Sequence, residues 1–221
     1  MLRALEVHND ASGIAHSYLQ SDNHRKLRQF LAELPRDERA AVLTEPSLLF
    51  DALADEADQC VELLLTEYGE SVAVSGEALG VAAQRGQVDV VRRLLAAGAD
   101  PNQPAWEHDC DFDTLLTGAM QSMHPEIVTI ACSPENFAQL EVGWLNEALA
   151  LGLSSRKKKS FDCLTVFGQA LLVRLETGEL AHLTQGDLKK LSRRLARSKA
   201  ANAESIDIGQ ALASHIGAKA A

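Results

Sequence analysis

The densest group of side chains that could do chemistry lies at residues 106–113, which read Trp-Glu-His-Asp-Cys-Asp-Phe-Asp. Histidine, cysteine and aspartate are all possible zinc ligands. Side chains one or two positions apart in one loop rarely converge on an ion without a second contributing segment, so we expect no metal site here. Trp is enriched among the residues that dominate binding energy at interfaces. We therefore interpret the segment as a contact surface; a solvated loop with Trp106 packed on a helix is the alternative.

The sequence lacks the motifs of common catalytic sites: it has no phosphate-binding glycine loop, no G-x-S-x-G and no H-E-x-x-H. The seven histidines are scattered, and no two of the four cysteines form a Cys-x-x-Cys pair. Three cysteines lie in apolar runs and are expected to be small core residues: Cys60, Cys132 and Cys163. A Cys–His pair that forms only in the fold stays open. The sequence otherwise predicts a protein that is not an enzyme and needs no cofactor.

Charge is distributed unevenly along the chain, whose formal net charge is −10. The range from Asp37 to Leu153 holds 21 acidic and 4 basic residues, whereas the range from Arg156 to Lys199 holds 11 basic and 4 acidic ones. A strongly negative surface attracts a basic partner and speeds their encounter. We therefore predict a basic protein partner for the acidic middle of the chain. An acidic surface that only aids solubility is the alternative.

Two basic segments lie in the C-terminal third of the chain. Residues 156–159 read Arg-Lys-Lys-Lys, and five further basic residues recur at helical spacing opposite a leucine stripe: Lys189, Lys190, Arg193, Arg194 and Arg197. A nucleic-acid interface would use such residues to neutralise phosphates. The acidity of the whole chain and the lack of aromatic residues between these charges argue against that function. We expect a solvated helix face, and nucleic-acid binding through the basic helix remains an alternative.

The elements that position these residues are predicted to be helices. Aromatic residues make up only 5% of the chain, so its core must rely on Leu, Val, Ile and Ala. Ala and Leu head the ranking of helix propensities. Charges interrupt every apolar stretch long before the roughly 20 residues that a membrane-spanning helix needs, and the N-terminus has no apolar run typical of a secretory signal. We expect an all-α protein of the cytoplasm with no membrane partner.

Residues 77–102 contain the most regular pattern, E-A-L-G-V-A-A-Q-R-G-Q-V-D-V-V-R-R-L-L-A-A-G-A-D-P-N. It predicts a short helix, a turn at Gly86 and a second helix that ends at Gly98. The pattern resembles an ankyrin repeat, which shares the paired alanines, the glycine turn and the V-V-x-x-L-L-x-x-G-A-D-x-N segment. It departs from the family where Glu77, Ala78 and Gly80 replace the preferred Thr, Pro and His.

Weaker copies of this pattern surround residues 77–102 at a spacing near the 33 residues of the family. They predict one domain over residues 1–221, with repeats at 46–75, 76–110, 111–143 and 144–178, the last carrying an insertion at 154–160. Helical caps are predicted at 11–45 and 186–217, since terminal units need a polar outer face. The second helix of the last repeat is expected to resume at Phe161.

The resemblance implies an all-α solenoid of stacked helix-turn-helix repeats that binds a protein through its concave face and projecting loops. The contact positions that it implies are Gly80, Gln84, Gln103, Trp106, Glu107, Asp109, Asp111, Phe112, Thr117 and Gln121. In its divergent, alanine-rich repeats, the chain resembles many ankyrin proteins of the bacterial cytoplasm. A toxin-neutralising immunity protein with a basic partner is one hypothesis, and a secreted effector that binds a host protein is another. The oligomeric state stays open.

Overall fold

The fold is known from a computed structural model that describes residues 2–69, 71–72, 74–103, 114–137, 140–154, 158–176, 185–197 and 203–218. Within these ranges every regular element is a helix, and no strand is present. The prediction of an all-helical protein is therefore confirmed for the described part of the chain.

Fourteen helices occur in the described ranges, and twelve of them form six consecutive pairs. The first helices of the pairs are α1 (Leu2–Leu19), α4 (Pro46–Ala54), α6 (Gly76–Gln84), α8 (Leu115–Ser122), α11 (Val142–Ser154) and α13 (Gln185–Arg197). The second helices are α2 (His24–Glu33), α5 (Asp58–Glu67), α7 (Val88–Ala96), α9 (Pro125–Ala131), α12 (Lys158–Glu176) and α14 (Ala203–Ala218). Two short helices lie between pairs: α3 (Arg36–Leu43) and α10 (Pro134–Phe137).

The helix pairs pack against one another in chain order. Each first helix contacts the first helix of the next pair, from α1 through α4, α6, α8 and α11 to α13. The second helices make similar contacts between α2 and α5, and from α7 through α9 and α12 to α14. The apolar faces join in one hydrophobic core that extends from Ala11 to Leu212. No helix pair therefore buries its apolar side chains alone.

The turn inside a helix pair has the same backbone geometry in four successive pairs. A residue in the left-handed region lies at each turn, namely Asp22 (φ 44°), Glu56 (φ 61°), Gly86 (φ 72°) and Met123 (φ 59°). In the first three turns its N–H donates to the carbonyl three residues earlier, at 2.8, 3.2 and 3.1 Å. The α1–α2 pair, which the sequence analysis treated as a cap, thus has the turn of the helix pairs that follow it.

Side chains from a following pair close the C-terminal ends of several first helices, whose last carbonyls have no partner within the helix. Arg85 donates to Leu53 O of α4, and the Ser122 hydroxyl donates to Ala83 O of α6 at 3.0 Å. Arg194 donates to Leu153 O of α11 at 2.8 Å. These bonds span 32, 39 and 41 residues of sequence, so each one ties a pair to its neighbour.

Two sequence-based expectations differ from the structure. The predicted insertion at 154–160 falls where α11 ends at Ser154 and α12 begins at Lys158; residues 155–157 lie outside the described residues. The α11–α12 pair has two long helices, and α12 begins three residues before Phe161, where the second helix was expected to resume. In addition, the predicted N-terminal cap at 11–45 contains a short further helix, α3, which begins directly after Pro35. Proline at a helix boundary both stops one helix and starts another, since its fixed φ suits a first turn.

The fully buried Leu94 side chain tests the assignment of the core. We expect Leu94→Ala to lower the free energy of unfolding by about 2–5 kcal/mol, because the truncation leaves a cavity between packed helices. Leu95→Ala is the matched control, since Leu95 is only partly buried and should lose less. Urea unfolding followed by circular dichroism measures both, and equal stability of the Leu94 variant and the wild type would contradict the assignment.

Gly86 tests the contact between the third and fourth helix pairs, α6–α7 and α8–α9. A Cβ at Gly86 would overlap the His124 ring, whereas a Cβ at Gly98 (φ 92°) would meet no atom within 4 Å. Both positions carry the backbone cost of a left-handed alanine, about 1–2 kcal/mol. We therefore expect Gly86→Ala to be clearly more destabilising than Gly98→Ala in urea unfolding. Adding His124→Ala should narrow that difference; equal losses in the two single variants would mean that the His124 contact is absent.

Candidate functional surface

Four equivalent positions at the C-terminal ends of the first helices form what we call the first-helix row: Gln20, which directly follows α1, and Ala54, Gln84 and Gln121 on α4, α6 and α8. Each lies two residues before the left-handed residue of its turn. Gln20 and Ala54 are exposed, and Gln84 and Gln121 are partly exposed. The row places neutral amide and small side chains at the surface, although the Oε1 atom of Gln121 is itself buried. Gln84 and Gln121 were predicted from the sequence, but Gln20 and Ala54 were not, because only the repeated turn geometry marks them and no residue motif does.

The structure corrects the outward placement of Gly80 and Thr117, which are both buried. A Cβ on Gly118 would lie 2.7 Å from Gly80 O, so α6 and α8 approach backbone to backbone at this point. Thr117 belongs to the capping box of α8, in which its hydroxyl accepts from Thr114 N–H at 2.9 Å. These two positions bring the helices together and offer no side chain to a partner. Partner contact at Gln84, Gln103 and Gln121 stays a prediction.

The base of the predicted contact loop is fixed at both ends. At the first end, Asn102 N–H donates to the Asp100 carboxylate at 2.9 Å, and Gly76 N–H of α6 donates to Gln103 Oε1 at 3.1 Å. At the second end, Leu115 N–H of α8 donates to Pro101 O at 3.2 Å. The loop therefore starts and ends at the N-termini of two adjacent first helices.

Five predicted contact residues of this loop lie outside the described residues: Trp106, Glu107, Asp109, Asp111 and Phe112. The same is true of the remaining polar residues of the segment, His108, Cys110 and Asp113. Their contribution to binding stays a prediction, and the structure locates only the base from which the loop extends.

The four arginines of the acidic middle, residues 37–153, all have internal partners. Arg39 donates to Leu31 O at 3.4 Å, and Arg85 donates to Leu53 O beside Asp58. Arg92 and Arg93 lie on α7 and pair with carboxylates of the two neighbouring units, Glu126 at 2.7 Å and Glu62 at 2.8 Å. The Thr66 hydroxyl and the Arg93 guanidinium together hold the pKa of Glu62 below its ordinary value.

Several exposed carboxylates of the described middle have no such partner. Asp37, Asp55, Glu135 and Glu141 are exposed and form no ion pair in the part of the chain that the structure describes. The arginines therefore serve as links between helices, and the charge that remains towards solvent is negative.

The basic helix α13 is amphipathic, as predicted from its sequence. Its leucines, Leu188, Leu191 and Leu195, are buried, whereas Lys189, Lys190 and Arg193 are exposed. Arg194 does not join this charged face, because its guanidinium donates to Leu153 O and Gly152 O at the end of α11 and burial lowers its pKa. Lys190 pairs with Asp187 on the same helix at 2.7 Å. The side chain of Arg197 and residues 156 and 157 lie outside the described residues.

The described cysteines are poor nucleophiles. Cys60 and Cys163 are fully buried, which confirms them as core residues, and Cys132 is partly buried. Burial raises the pKa of the Cys60 and Cys163 thiols to about 12, and it also raises the pKa of Cys132. These thiols are protonated at neutral pH, whereas the thiolate is the reactive form.

Comparison with known proteins identifies one repeat. Residues 78–106 match the family model of the ankyrin repeat, which confirms the resemblance in α6, α7 and the first residues of the following loop. No curated protein and no solved structure matches the chain. An ankyrin repeat is typically a non-catalytic protein-binding element, and repeats of this kind create extended binding surfaces when they stack. In the described ranges, no helix is both long and apolar enough to cross a bilayer.

The close approach of α6 and α8 gives a test of how the first-helix row is held together. We expect Gly118→Ala to lower the free energy of unfolding by about 1–3 kcal/mol, because the new methyl group would press on the Gly80 carbonyl. Gly143→Ala, on the exposed start of α11, meets no atom within 4 Å and should be neutral or stabilising. Chemical denaturation compares the two variants. A Gly118 variant as stable as the wild type would show that the two helices lie further apart.

Proposed function

We propose that this protein is a non-enzymatic binding module whose helix pairs form an ankyrin-type solenoid, and that it binds a basic protein. The concave face of the solenoid would carry the first-helix row, and the loop between Gln103 and Thr114 would project from the N-terminal ends of the same first helices. This proposal extends from the single repeat at residues 78–106 to the neighbouring pairs, because they share its turn geometry and pack on it in chain order.

The observation that carries the proposal is the fixed base of the loop. Both ends are hydrogen-bonded to the N-termini of α6 and α8, so the base is held by the rigid part of the fold. A rigid base lowers the ordering cost of binding. The loop sequence then supplies two aromatic residues, Trp106 and Phe112, among four carboxylates. Gln84 lies at the opposite end of α6, about 13 Å away for a nine-residue helix.

Electrostatics favour a basic partner for this surface. The arginines of residues 37–153 are engaged within the protein, so they do not offset the loop carboxylates in the solvent field. A partner with clustered Lys and Arg would be attracted at long range, and salt would weaken the attraction. The charged face of α13 supports nucleic-acid binding less well, because Arg194 is turned towards α11 and Lys190 pairs with Asp187.

A toxin-neutralising role in the cytoplasm is the specific form of this proposal. An acidic loop on a rigid base would cover a basic surface of the toxin, such as one that contacts nucleic acid. What supports this form is the sign and the clustering of the loop charges, and the neighbouring reading frame would supply the candidate toxin.

The test compares two variants that change the net charge equally. One neutralises the loop (Asp109→Asn, Asp111→Asn, Asp113→Asn), and the other neutralises three exposed carboxylates elsewhere (Asp37→Asn, Glu135→Gln, Asp207→Asn). With the full chain as bait, affinity for a captured basic protein is measured at about 0.05 M and about 0.5 M salt. We expect the loop variant to lose about tenfold or more in affinity at low salt and the control to lose little.

Equal losses in both variants would show that only the overall charge attracts the partner. Unchanged affinity in both would exclude the loop carboxylates from the interface. Either result contradicts the proposal.

A further inference from the structure

The contact between α1 and α4 contains a group of four polar residues that the proposed function does not use. This group, the His16 cluster, consists of Ser12 and His16 on α1, Asp51 on α4 and Glu45 at the N-cap of α4. His16 Nε2 contacts the Asp51 carboxylate, and the Ser12 hydroxyl donates to Glu45. His16 Nδ1 lies 2.8 Å from the backbone carbonyl of Ser12. The His16 and Asp51 side chains are only 30% and 25% exposed.

The hydrogen-bond acceptors around His16 determine which protonation state of its ring fits the cluster. The Ser12 carbonyl can only accept, and an ionised Asp51 carboxylate can only accept as well. A neutral imidazole carries one N–H and so can donate to one of these two groups, whereas the imidazolium donates to both. The geometry therefore fits the doubly protonated ring, and loss of one proton would leave one of the two contacts without a hydrogen.

The charges around His16 also favour the protonated imidazolium. Asp51 and Glu45 are the carboxylates that face it, and both come from α4 or its N-cap. Helices α2 and α3 also pack against α1, but no described charged side chain on either of them acts on His16. Burial works to lower the pKa of His16, yet the bonds to Ser12 and Asp51 and the two negative charges outweigh it and raise that pKa.

We propose that the His16 cluster is a pH-sensitive latch, in which the imidazolium fastens α1 to α4 and deprotonation loosens this contact. The stabilisation of the α1–α4 contact by the imidazolium is complete at a pH below about 6.5, the ordinary pKa of histidine. It is lost as the pH rises through the higher pKa that His16 has in the folded state. The proposal is independent of the protein-binding function, since the cluster includes no residue of the first-helix row.

The loosening is confined to α1, because α2 has its own attachments to α5. Arg28 pairs with Glu67 at 2.5 Å, and the Asp22 carboxylate accepts from the N–H groups of Gln59 and Cys60, both at 3.0 Å. The latch therefore regulates how firmly the first helix of the N-terminal pair is held, while the second helix stays in place.

The direct test is a ¹⁵N NMR titration of the imidazole groups in the full wild-type chain. Resonances of His16 are identified by their absence in His16→Gln. We expect both ring nitrogens of His16 to be protonated at about pH 6.5 and to titrate above it. A midpoint at or below that value, or one neutral tautomer under those conditions, would overturn the proposal. The titration itself is measured on the wild type, so a variant is needed only to assign the resonances. If His16→Gln does not fold, His24→Gln and single replacements of the other histidines assign the remaining resonances and leave those of His16 by elimination.

Hydrogen exchange provides a second readout of the latch itself. After correction for intrinsic rates, protection of the amides of residues 11–19 should fall between about pH 5.5 and pH 8.5 in the wild type and in the control His24→Gln. In His16→Gln it should be low at both values. Protection that is independent of pH in the wild type, or that falls equally in His16→Gln, would show that His16 does not fasten α1.

Discussion

The structure depends on one constraint: a pair of short helices cannot bury its own apolar face and must complete its core with the next pair. Two features of the sequence meet this constraint. Small residues such as Gly80 and Gly118 let adjacent first helices approach backbone to backbone. Side chains such as Ser122 and Arg194 then satisfy the C-terminal carbonyls of the preceding pair. Because each pair depends on its neighbours, stability and shape are shared along the chain.

The same constraint explains which parts of the fold could be predicted from the sequence. The leucines of α13 and the stripe of α7 repeat at helical spacing, so their helices and buried faces were predictable. The role of Arg194 was not, because its spacing on α13 matches that of solvent-exposed lysines. Only its reach to α11, 41 residues earlier, shows that it closes another helix. Likewise, the turn that α1–α2 shares with the later pairs could not be predicted. A glycine such as Gly86 indicates a left-handed turn in the sequence, but at the equivalent position of α1–α2 the left-handed residue is Asp22.

The candidate surface was predicted only in part, for a related reason. Positions on a first helix were assigned by analogy with a single repeat, and two positions one helical turn apart on the same face can differ in burial where the neighbouring helix covers only one of them. Gln84 and Gln121 reach solvent, whereas Gly80 and Thr117 lie between α6 and α8. The fold also shows which charged side chains of the acidic middle are paired within the protein and which face solvent. Arginines in the acidic middle pair with carboxylates of neighbouring helices. The charge that remains exposed to solvent there is therefore negative.

The central claim is that the first-helix row and the loop between Gln103 and Thr114 form one binding surface. The most direct measurement is a hydrogen-exchange footprint of the full chain, with and without its bound basic partner. The account predicts that binding protects the amides of residues 103–114 together with the C-terminal ends of α6 and α8, and leaves α7 and α9 unchanged. Protection confined to the second helices α5, α7 and α9, with residues 103–114 unaffected, would contradict it.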